Sequence, residues 1–423
     1  GVGLGGLVVA LLATLVIGPM PWDAGALTEA SSFGDPALYT RDLLTALLDL
    51  ALISIGILTL LFAPDYLTPR KLPLAEFTAT LIFALSGGML IAGGQDLLVL
   101  LIGPELLVLP GYLLAGFAKR DGLSTEGAIK YFLLGSFSSA ILLFGLAFVL
   151  GFTGNTQLAG IAGELELVMS GEEPLPLALA MGLALLAVGV LFKIAAVPFH
   201  YWTPDAYQGS PTPVTGYLSV GPKIAAFALI LRIFVEALGP LRGEWALVIG
   251  VLAGLTMTVG NLAALGQDNI KRMLAYSSIA HTGYMMVGLV VFATAEDPDV
   301  AAAGVQAVLF YAVAYAFMNL GAFAVVAALQ RRPGVTSQIS TFAGLGYRAP
   351  VLALAMTVFL LSLVGIPPLA GFFAKMTVVL AALEVGGEMT LLAVLIMLNA
   401  AMAAFYYLRV VVYMYMRKPD EQA

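Results

Sequence analysis

Two lysines and a histidine lie in a stretch that is otherwise almost entirely apolar. Lys193 and His200 flank Pro198, and Lys223 lies in the apolar run that follows. Proline removes a backbone hydrogen bond from a helix, and an ammonium group is costly in apolar surroundings. A broken helix beside an ionisable group at membrane depth is typical of ion and proton paths. Residues 191–225 are therefore predicted to take part in ion or proton transfer.

Glu105 lies near the centre of another apolar segment, and Lys193 is its expected partner. Desolvation would keep a lone carboxylate neutral unless a cation within a few ångströms holds it ionised. We therefore expect the two side chains to face each other. The pair would either handle protons or serve only as a buried pair that fixes how two helices pack.

A second set of ionisable groups lies in the later part of the chain. Lys375 comes seven residues after Pro368, the end of a Pro367–Pro368 pair. Lys223 lies in mid-segment, where snorkelling to the headgroups is the less favoured alternative. His281 could pass protons near neutral pH or simply pack through hydrogen bonds. The candidate proton-transfer residues are Glu105, Lys193, Lys223, Lys375, His200 and His281.

Isolated polar groups on apolar helices form a separate class. Hydrogen bonding between helices accounts for residues of this kind, and Asp49 is one of them, with no further role assigned. Several tyrosines also lie in the apolar segments. They could border a hydrated path or simply pack, and the sequence gives no reason to choose. The tyrosines concerned are Tyr131, Tyr311, Tyr315, Tyr406 and Tyr407.

Composition places the chain in a membrane. Hydrophobic residues make up 61% and charged residues 11% of the sequence, and the mean hydropathy is +0.99. Soluble domains carry about 25% charged residues. Long apolar runs predict one all-α, polytopic membrane domain over residues 1–423. The absence of cysteine excludes thiolate-held metal and iron–sulfur sites, and two histidines argue against a haem or metal centre.

Twelve membrane-spanning segments can be counted along the chain. The eleventh is too long for one straight crossing, and we expect the proline pair within it to break the helix. The predicted spans are residues 2–20, 42–62, 74–92, 96–118, 126–151, 177–199, 211–235, 245–265, 269–293, 302–329, 349–382 and 390–416.

The loops alternate between basic and acidic, which predicts the orientation. Of the 19 Lys and Arg residues, 13 fall on one side, three on the other and three inside spans. Cytoplasmic loops of membrane proteins carry an excess of Lys and Arg. The basic side is therefore predicted to be cytoplasmic, and both ends of the chain lie on that side. The basic side holds Arg70, Lys71, Lys119, Arg120, Lys130, Lys271, Arg272, Arg331, Arg332, Arg348, Arg409, Arg417 and Lys418; the acidic loops hold Asp23, Glu29, Asp35, Glu164, Glu166, Glu172, Glu173, Glu296, Asp297, Asp299, Glu384 and Glu388, with Arg41, Arg232 and Arg242.

The layout of the spans predicts an internal repeat. Spans 3–7 and 8–12 each contain five helices, and in each set the fourth has a proline break and a lysine near it. Five is odd, so the second set is expected to be inverted in the membrane, as in many transporters. The expected parts are N-terminal helices over residues 1–73 and half-channels over residues 74–236 and 243–417.

Three long motifs resemble those of the antiporter-like membrane subunits of proton-pumping NADH:quinone oxidoreductase, respiratory complex I. They are residues 200–213 (HYWTPDAYQGSPTP), 271–284 (KRMLAYSSIAHTGY) and 365–375 (GIPPLAGFFAK). The form WTPDAYQG resembles subunit N, whereas subunits L and M usually carry Trp-Leu-Pro-Asp. Subunit M also typically has glutamate where this chain has Lys375. The resemblance covers nearly the whole chain.

The resemblance implies an antiporter-like fold of fourteen helices, of which this chain would lack the first and the last. It implies that Glu105 tunes a proton-accepting Lys193, that Lys223 connects along a central axis, and that Lys375 ends the second half-channel. The chain would be a proton-translocating subunit that binds no cofactor, with NADH, FMN, iron–sulfur clusters and quinone in other subunits.

Partners and location are implied in the same way. The expected neighbours are the small subunit K and the antiporter-like subunit M, in a bacterial inner membrane. The alternative is a cation/proton antiporter subunit of the related multi-subunit antiporters, which shares the fold. An inert scaffold is a third alternative, and it would require the charged residues of the spans to be dispensable.

Overall fold

The computed structural model describes residues 1–17, 31–34, 37–171, 175–331 and 335–418. Its architecture is a bundle of apolar helices, which confirms the predicted all-α membrane class. The helices are α1 (Val2–Ile17), α2 (Leu43–Leu67), α3 (Leu74–Gly93), α4 (Leu97–Ala115), α5 (Gly122–Thr153), α6 (Leu158–Met169), α7 (Leu177–Lys193), α8 (Trp202–Gly209), α9 (Thr212–Ile230), α10 (Arg242–Leu265), α11 (Ile270–Thr294), α12 (Pro298–Leu329), α13 (Leu345–Arg348), α14 (Pro350–Val364), α15 (Ala370–Val385) and α16 (Met389–Met416).

Nine helices of the described residues are long and apolar enough to cross a membrane. Three further predicted spans form shorter apolar helices, namely α1, α7 and α14. Each predicted span therefore coincides with an apolar helix. The count of twelve crossings stays a prediction, because these three helices are short for a full crossing.

Some short elements were not predicted. Strands β1 (Ser31–Phe33) and β2 (Tyr39–Arg41) form an antiparallel hairpin before α2. Helix α6 lies between two predicted spans and has 12 residues. It buries Leu158, Ile161 and Leu165 at helical spacing, so it packs with one face only, which a search for long apolar runs overlooks.

Helical structure lapses at both predicted proline breaks. Helix α7 ends at Lys193 and α8 begins at Trp202, while α14 ends at Val364 and α15 begins at Ala370. These helix ends confirm both predicted breaks. The first also corrects the predicted span 177–199, because the chain leaves the helix before it reaches Pro198.

The two interrupted helices end with the same backbone pattern. Ala195 (φ 58°) and Gly365 (φ 95°) adopt the left-handed conformation that commonly ends helices. The following amides then donate back to carbonyls five residues earlier. These bonds are Ala196 to Leu191 at 2.9 Å and Ile366 to Leu361 at 3.2 Å.

A second pair of matching contacts lies at the start of α4 and of α11. The amide of Leu97 donates to Thr156 at 2.8 Å and that of Leu158 to Gln95 at 3.0 Å. Before α11 the amide of Ile270 donates to Ser337 at 2.8 Å and that of Ile339 to Asp268 at 2.7 Å. An isolated antiparallel bridge therefore precedes each of these two helices, Asp96 with Gln157 before α4 and Asn269 with Gln338 before α11.

Helices α9 and α11 form the centre of the bundle. Every residue of α9 is buried, and so are most residues of α11. Helix α9 packs against α2, α3 and α12, and α11 packs against α8, α10, α12 and α15. The polar side chains in the middle of these two helices, such as Lys223, Ser278 and His281, are therefore enclosed by protein.

The structure describes only some of the residues from which the orientation was predicted. Asp23, Glu29, Asp35, Glu172, Glu173 and Arg332 lie outside the described residues. Arg232, which counted as a loop residue, lies instead in a π-helical segment (Leu231–Ala237) that continues α9, and it is 1% exposed. The orientation itself stays a prediction.

Candidate functional site

The Glu105 carboxylate and the Lys193 ammonium lie across from each other. Their Oε1 and Nζ atoms are 3.9 Å apart, and Lys193 also donates to the Ser139 hydroxyl at 2.8 Å. Lys193 is the last residue of α7, and Glu105 follows Pro104 in α4. The Lys193 side chain is 6% exposed and that of Glu105 36%. The predicted proximity is confirmed, and only the carboxylate reaches the outer surface of the chain.

A small cavity adjoins the Lys193 side chain. Its volume is about 20 Å³, which is room for about one water molecule. Trp202 of α8 helps to close it and stacks on Tyr131 with ring centroids 4.2 Å apart. Other lining residues are Pro104, Tyr112, Phe192 and Pro222.

The Lys223 ammonium is held by hydroxyl and carbonyl oxygens of α11. It donates to the Ser278 carbonyl at 2.5 Å, the Ser278 hydroxyl at 2.6 Å and the Thr282 hydroxyl at 2.8 Å. The residue is 4% exposed, and no carboxylate among the described residues forms an ion pair with it. The Tyr315 ring lies 5.3 Å from the ammonium and presents the negative face that a cation favours.

Thr282 joins this lysine to the first helix break. Its hydroxyl donates to the Ile194 carbonyl at 2.9 Å, and Ile194 directly follows Lys193 in the chain. One hydroxyl therefore connects the Lys223 ammonium with the backbone beside Lys193. Sequence reasoning overlooked Thr282, although it lies next to His281 in a quoted motif.

His281 lies in a cage of tyrosines. Its Nδ1 atom is 2.8 Å from the Tyr311 hydroxyl and its Nε2 atom 3.3 Å from the Tyr407 hydroxyl. Tyr315 packs on the ring with centroids 5.0 Å apart, and the histidine is 2% exposed. The tyrosines come from α12 and α16, so nothing in their own sequence surroundings connected them with His281.

Lys375 caps the second broken helix. Its ammonium donates to the carbonyls of Leu363 at 2.9 Å and Val364 at 2.6 Å, at the end of α14. A cation is favoured at the C-terminus of a helix. The ammonium also lies 5.2 Å from the Tyr284 ring centre, so α11 approaches Lys375 as well as Lys223.

His200 differs from the other candidates in its contacts. It is 8% exposed, its Nδ1 atom has no hydrogen-bond partner among the described residues, and its ring contacts Tyr201 at 4.6 Å. No described hydrogen bond or ion pair joins it to Lys193 or Lys223. The described hydrogen bonds, ion pairs and ring contacts link the other five candidates to α11 or to α4, and none of them links this histidine to either helix.

The motif at residues 200–213 forms a clamp between helices. Asp205 of α8 accepts hydrogen bonds from Lys130 of α5 at 2.7 Å and from Arg272 of α11 at 2.6 Å. Partial burial alone would raise the pKa of Asp205, but the bonds from the two cations lower it below its usual value. The sequence did not predict this structural role.

Comparison with known families gives a match over most of the chain. The family model described as "NADH:quinone oxidoreductase/Mrp antiporter, TM" matches residues 94–402. NADH-quinone oxidoreductase subunit N 1 of Sorangium cellulosum is 46% identical over 86% of this chain and 71% of its own length. Subunit N of Trichlorobacter lovleyi is 42% identical over 93% and 78% of the two chains, and that of Chloroflexus aggregans 41% over 99% and 81%.

Solved structures give a similar result. A chain of respiratory complex I from Thermus thermophilus with bound aureothin is 32% identical, with a TM-score of 0.76 over 99% of this chain and 84% of that one. A chain of the Mrp complex from Dietzia sp. has a TM-score of 0.79 over 99% and 75% of the two chains. Its identity of 21% makes it similar in fold alone.

Proposed function

We propose, because this chain belongs to the family of NADH-quinone oxidoreductase subunit N, that its buried lysines carry protons across the membrane. As a member of that family, the chain is a multi-pass, proton-translocating membrane subunit of NADH-quinone oxidoreductase, a translocase. What we propose is which residues of the chain carry the protons. Protons would pass along Lys193, Lys223 and Lys375, with His281 between the last two.

The Lys223 ammonium is the observation that carries the proposal. It lies in the centre of the bundle, and its hydrogen-bond partners among the described residues are neutral oxygens of Ser278 and Thr282. A lysine without a counter-charge loses its proton more readily than one in an ion pair. The Ser278 hydroxyl can accept a hydrogen bond from the ammonium or donate one to the free amine, so both states of the lysine are supported.

The Glu105–Lys193 pair would control the first step. The carboxylate stabilises the charged lysine at 3.9 Å, so a shift of that charge would change whether Lys193 holds its proton. Moving one charge fully across the membrane costs about 2.3 kcal/mol per 100 mV. Redox chemistry in other subunits would supply this energy, and we place NADH, FMN, the iron–sulfur clusters and quinone there, by family resemblance.

The two-repeat organisation is also proposed. We assign α3–α9 (residues 74–236) and α10–α16 (residues 243–417) as inverted half-channels, preceded by residues 1–73. The matching bridges before α4 and α11 support this assignment, as do the matching ends of α7 and α14. Glu105 and Ser278 each lie nine residues past their bridge, so Ser278 would take the place of Glu105 in the second repeat.

A neighbouring subunit would cover the outer face of α4. The Glu105 side chain is 36% exposed there, next to the exposed apolar side chains of Leu98, Ile102 and Leu109. A charged group facing lipid is costly, so a protein partner is the favoured neighbour. Subunit K and subunit M are the partners we propose, in a bacterial inner membrane with both chain ends cytoplasmic, as the loop charges favour.

Substitution of Lys223 by alanine tests the proposed path. We expect the complex to assemble, and both quinone reductase turnover and proton pumping in vesicles to fall. Lys119→Ala, an exposed lysine in the loop before α5, is the matched control and should behave as wild type. Wild-type turnover and pumping in Lys223→Ala would show that the central lysine is structural. Co-purification with the other complex subunits tests assignment to this enzyme against a stand-alone antiporter.

A further inference from the structure

A buried carboxylate in α2 is used by none of the steps above. Asp49 is 1% exposed, and its Oδ1 atom has no hydrogen-bond partner among the described residues. The surrounding helix is apolar, and an unpaired carboxylate in such a place is costly. An apolar side chain would fix the packing of α2 at a lower free-energy cost, so we look for a functional role of this carboxylate.

The helix face that carries Asp49 leads to one end of the bundle. Asp42, Thr45 and Asp49 are spaced by three and four residues, which puts them on the same face. Asp42 caps α2 and pairs with Arg232 at 2.8 Å. Arg232 also donates to the Thr45 hydroxyl at 3.1 Å and pairs with Glu236. We call Arg232, Asp42, Thr45 and Glu236 the Arg232 network.

In the opposite direction along α2, this face runs towards the depth in the bundle at which Lys223 lies. Helices α2 and α9 are antiparallel, because Thr45 contacts Arg232 whereas Phe62 lies against Gly216. Between these points Leu52 and Ala225 both lie beside Gly88 of α3. Asp49 is thus placed, along the helix axis, between the Arg232 network and the level of Lys223. At 1.5 Å per residue it lies about 10 Å inward from Asp42.

We propose that Asp49 is a proton-holding residue between the central lysines and the end of the bundle marked by the Arg232 network. Its face of α2 offers Thr45 and Asp42 as the next polar groups towards the surface. Among the described residues, Tyr39 and Arg41 of β2 are further titratable groups that interact electrostatically with Asp49. The inference rests on the proposed proton transfer through Lys223.

The test compares Asp49→Asn, Asp49→Glu and Thr59→Val in the assembled complex. Asparagine keeps the size of the side chain but holds no exchangeable acid proton, and glutamate restores the acid. Thr59 is a buried hydroxyl of the same helix that also lacks a partner among the described residues, so its valine variant controls for loss of a polar group. Lys223→Ala is measured in parallel.

We expect Asp49→Asn to lower proton pumping by at least about two-fold, since relay groups contribute that much or more. Asp49→Glu should recover part of the loss, and Thr59→Val should pump as wild type. Normal pumping in Asp49→Asn with a loss in Lys223→Ala would overturn the role of Asp49 alone. Normal pumping in both variants would overturn the proposed function as well.

Infrared difference spectroscopy provides a second test if the Asp49→Asn complex does not assemble. Infrared difference spectra of the wild-type complex, recorded on adding NADH, should contain a carboxylic acid band that changes with turnover. That band should shift in Asp49→Glu. An identical acid region in the two proteins would show that Asp49 does not change protonation, and would overturn the proposal.

Discussion

The Lys223 ammonium donates a hydrogen bond to the Thr282 hydroxyl at 2.8 Å. The same hydroxyl donates to the carbonyl of Ile194 at 2.9 Å, beside Lys193 and the break after α7. The Ile194 carbonyl, which lies beyond the end of α7, therefore accepts a hydrogen bond from the centre of the bundle, as irregular backbone at membrane depth requires.

Replacing Thr282 with valine should lower proton pumping without preventing assembly. Valine keeps the shape of the side chain but removes the hydroxyl between Lys223 and Ile194. We expect a loss of about ten-fold or less, since Ser278 still holds the ammonium. Thr282→Ser should restore pumping. Thr294→Val, which removes a hydroxyl bonded within the same helix, is the control, and equal effects of the two valine variants would contradict the prediction.

Replacing Glu105 with glutamine should slow the coupled enzyme by about ten-fold. The change keeps the side-chain size and removes the negative charge 3.9 Å from the Lys193 ammonium. Quinone reductase turnover and pumping are the measurements, and Glu105→Asp should retain part of both. Glu166→Gln, an exposed carboxylate of α6, should have no effect. An unchanged Glu105→Gln enzyme would mean that the pair only fixes helix packing.

Because of Asp205, the free energy of unfolding of the chain should depend on pH. Its folded-state pKa is lowered by Lys130 and Arg272, in opposition to the effect of burial. The bonds therefore stabilise the chain fully above the unfolded pKa of about 4, and the gain is lost as the pH falls through the folded value.

Thermal unfolding of the detergent-solubilised protein measures this contribution. Asp205→Asn should cost about 1 kcal/mol at neutral pH, as expected for a partly exposed pair, and should lose less stability on acidification than wild type. Glu126→Gln, which removes the exposed partner of Lys130, is the matched control. A Glu126→Gln loss as large as that of Asp205→Asn would argue against a clamp.

Gly371→Ala should prevent stable folding. A Cβ atom at this position would lie 1.8 Å from the Ser362 carbonyl oxygen, so α14 and α15 would have to separate at the second break. Overpacking of this kind costs about 3 kcal/mol or more. The yield of folded protein after detergent extraction measures the loss. Gly163→Ala in α6, where no atom lies within 4 Å of the added carbon, should be neutral or slightly stabilising, and a normal yield for Gly371→Ala would contradict the packing.

The sequence by itself determined the membrane class, the positions of the apolar helices and both breaks. Each of these depends on local chemistry: the length of an apolar run sets a crossing, and Pro198 or Pro367 removes a backbone donor wherever it lies. The ionisable candidates were equally visible, because a charge such as Lys223 stands out in an apolar run. Even the Glu105–Lys193 pair could be anticipated, since each charge needs the other.

Only the tertiary structure decided what surrounds those groups. His281 meets tyrosines from α12 and α16, and Lys375 reaches back to carbonyls of α14. The Nδ1 atom of His200, which was chosen by the same reasoning as His281, was left without a hydrogen-bond partner among the described residues. Such contacts join residues far apart in the chain, and their geometry depends on how whole helices cross. A sequence pattern of period 3.6 fixes one helix face but does not specify which helix will lie against it.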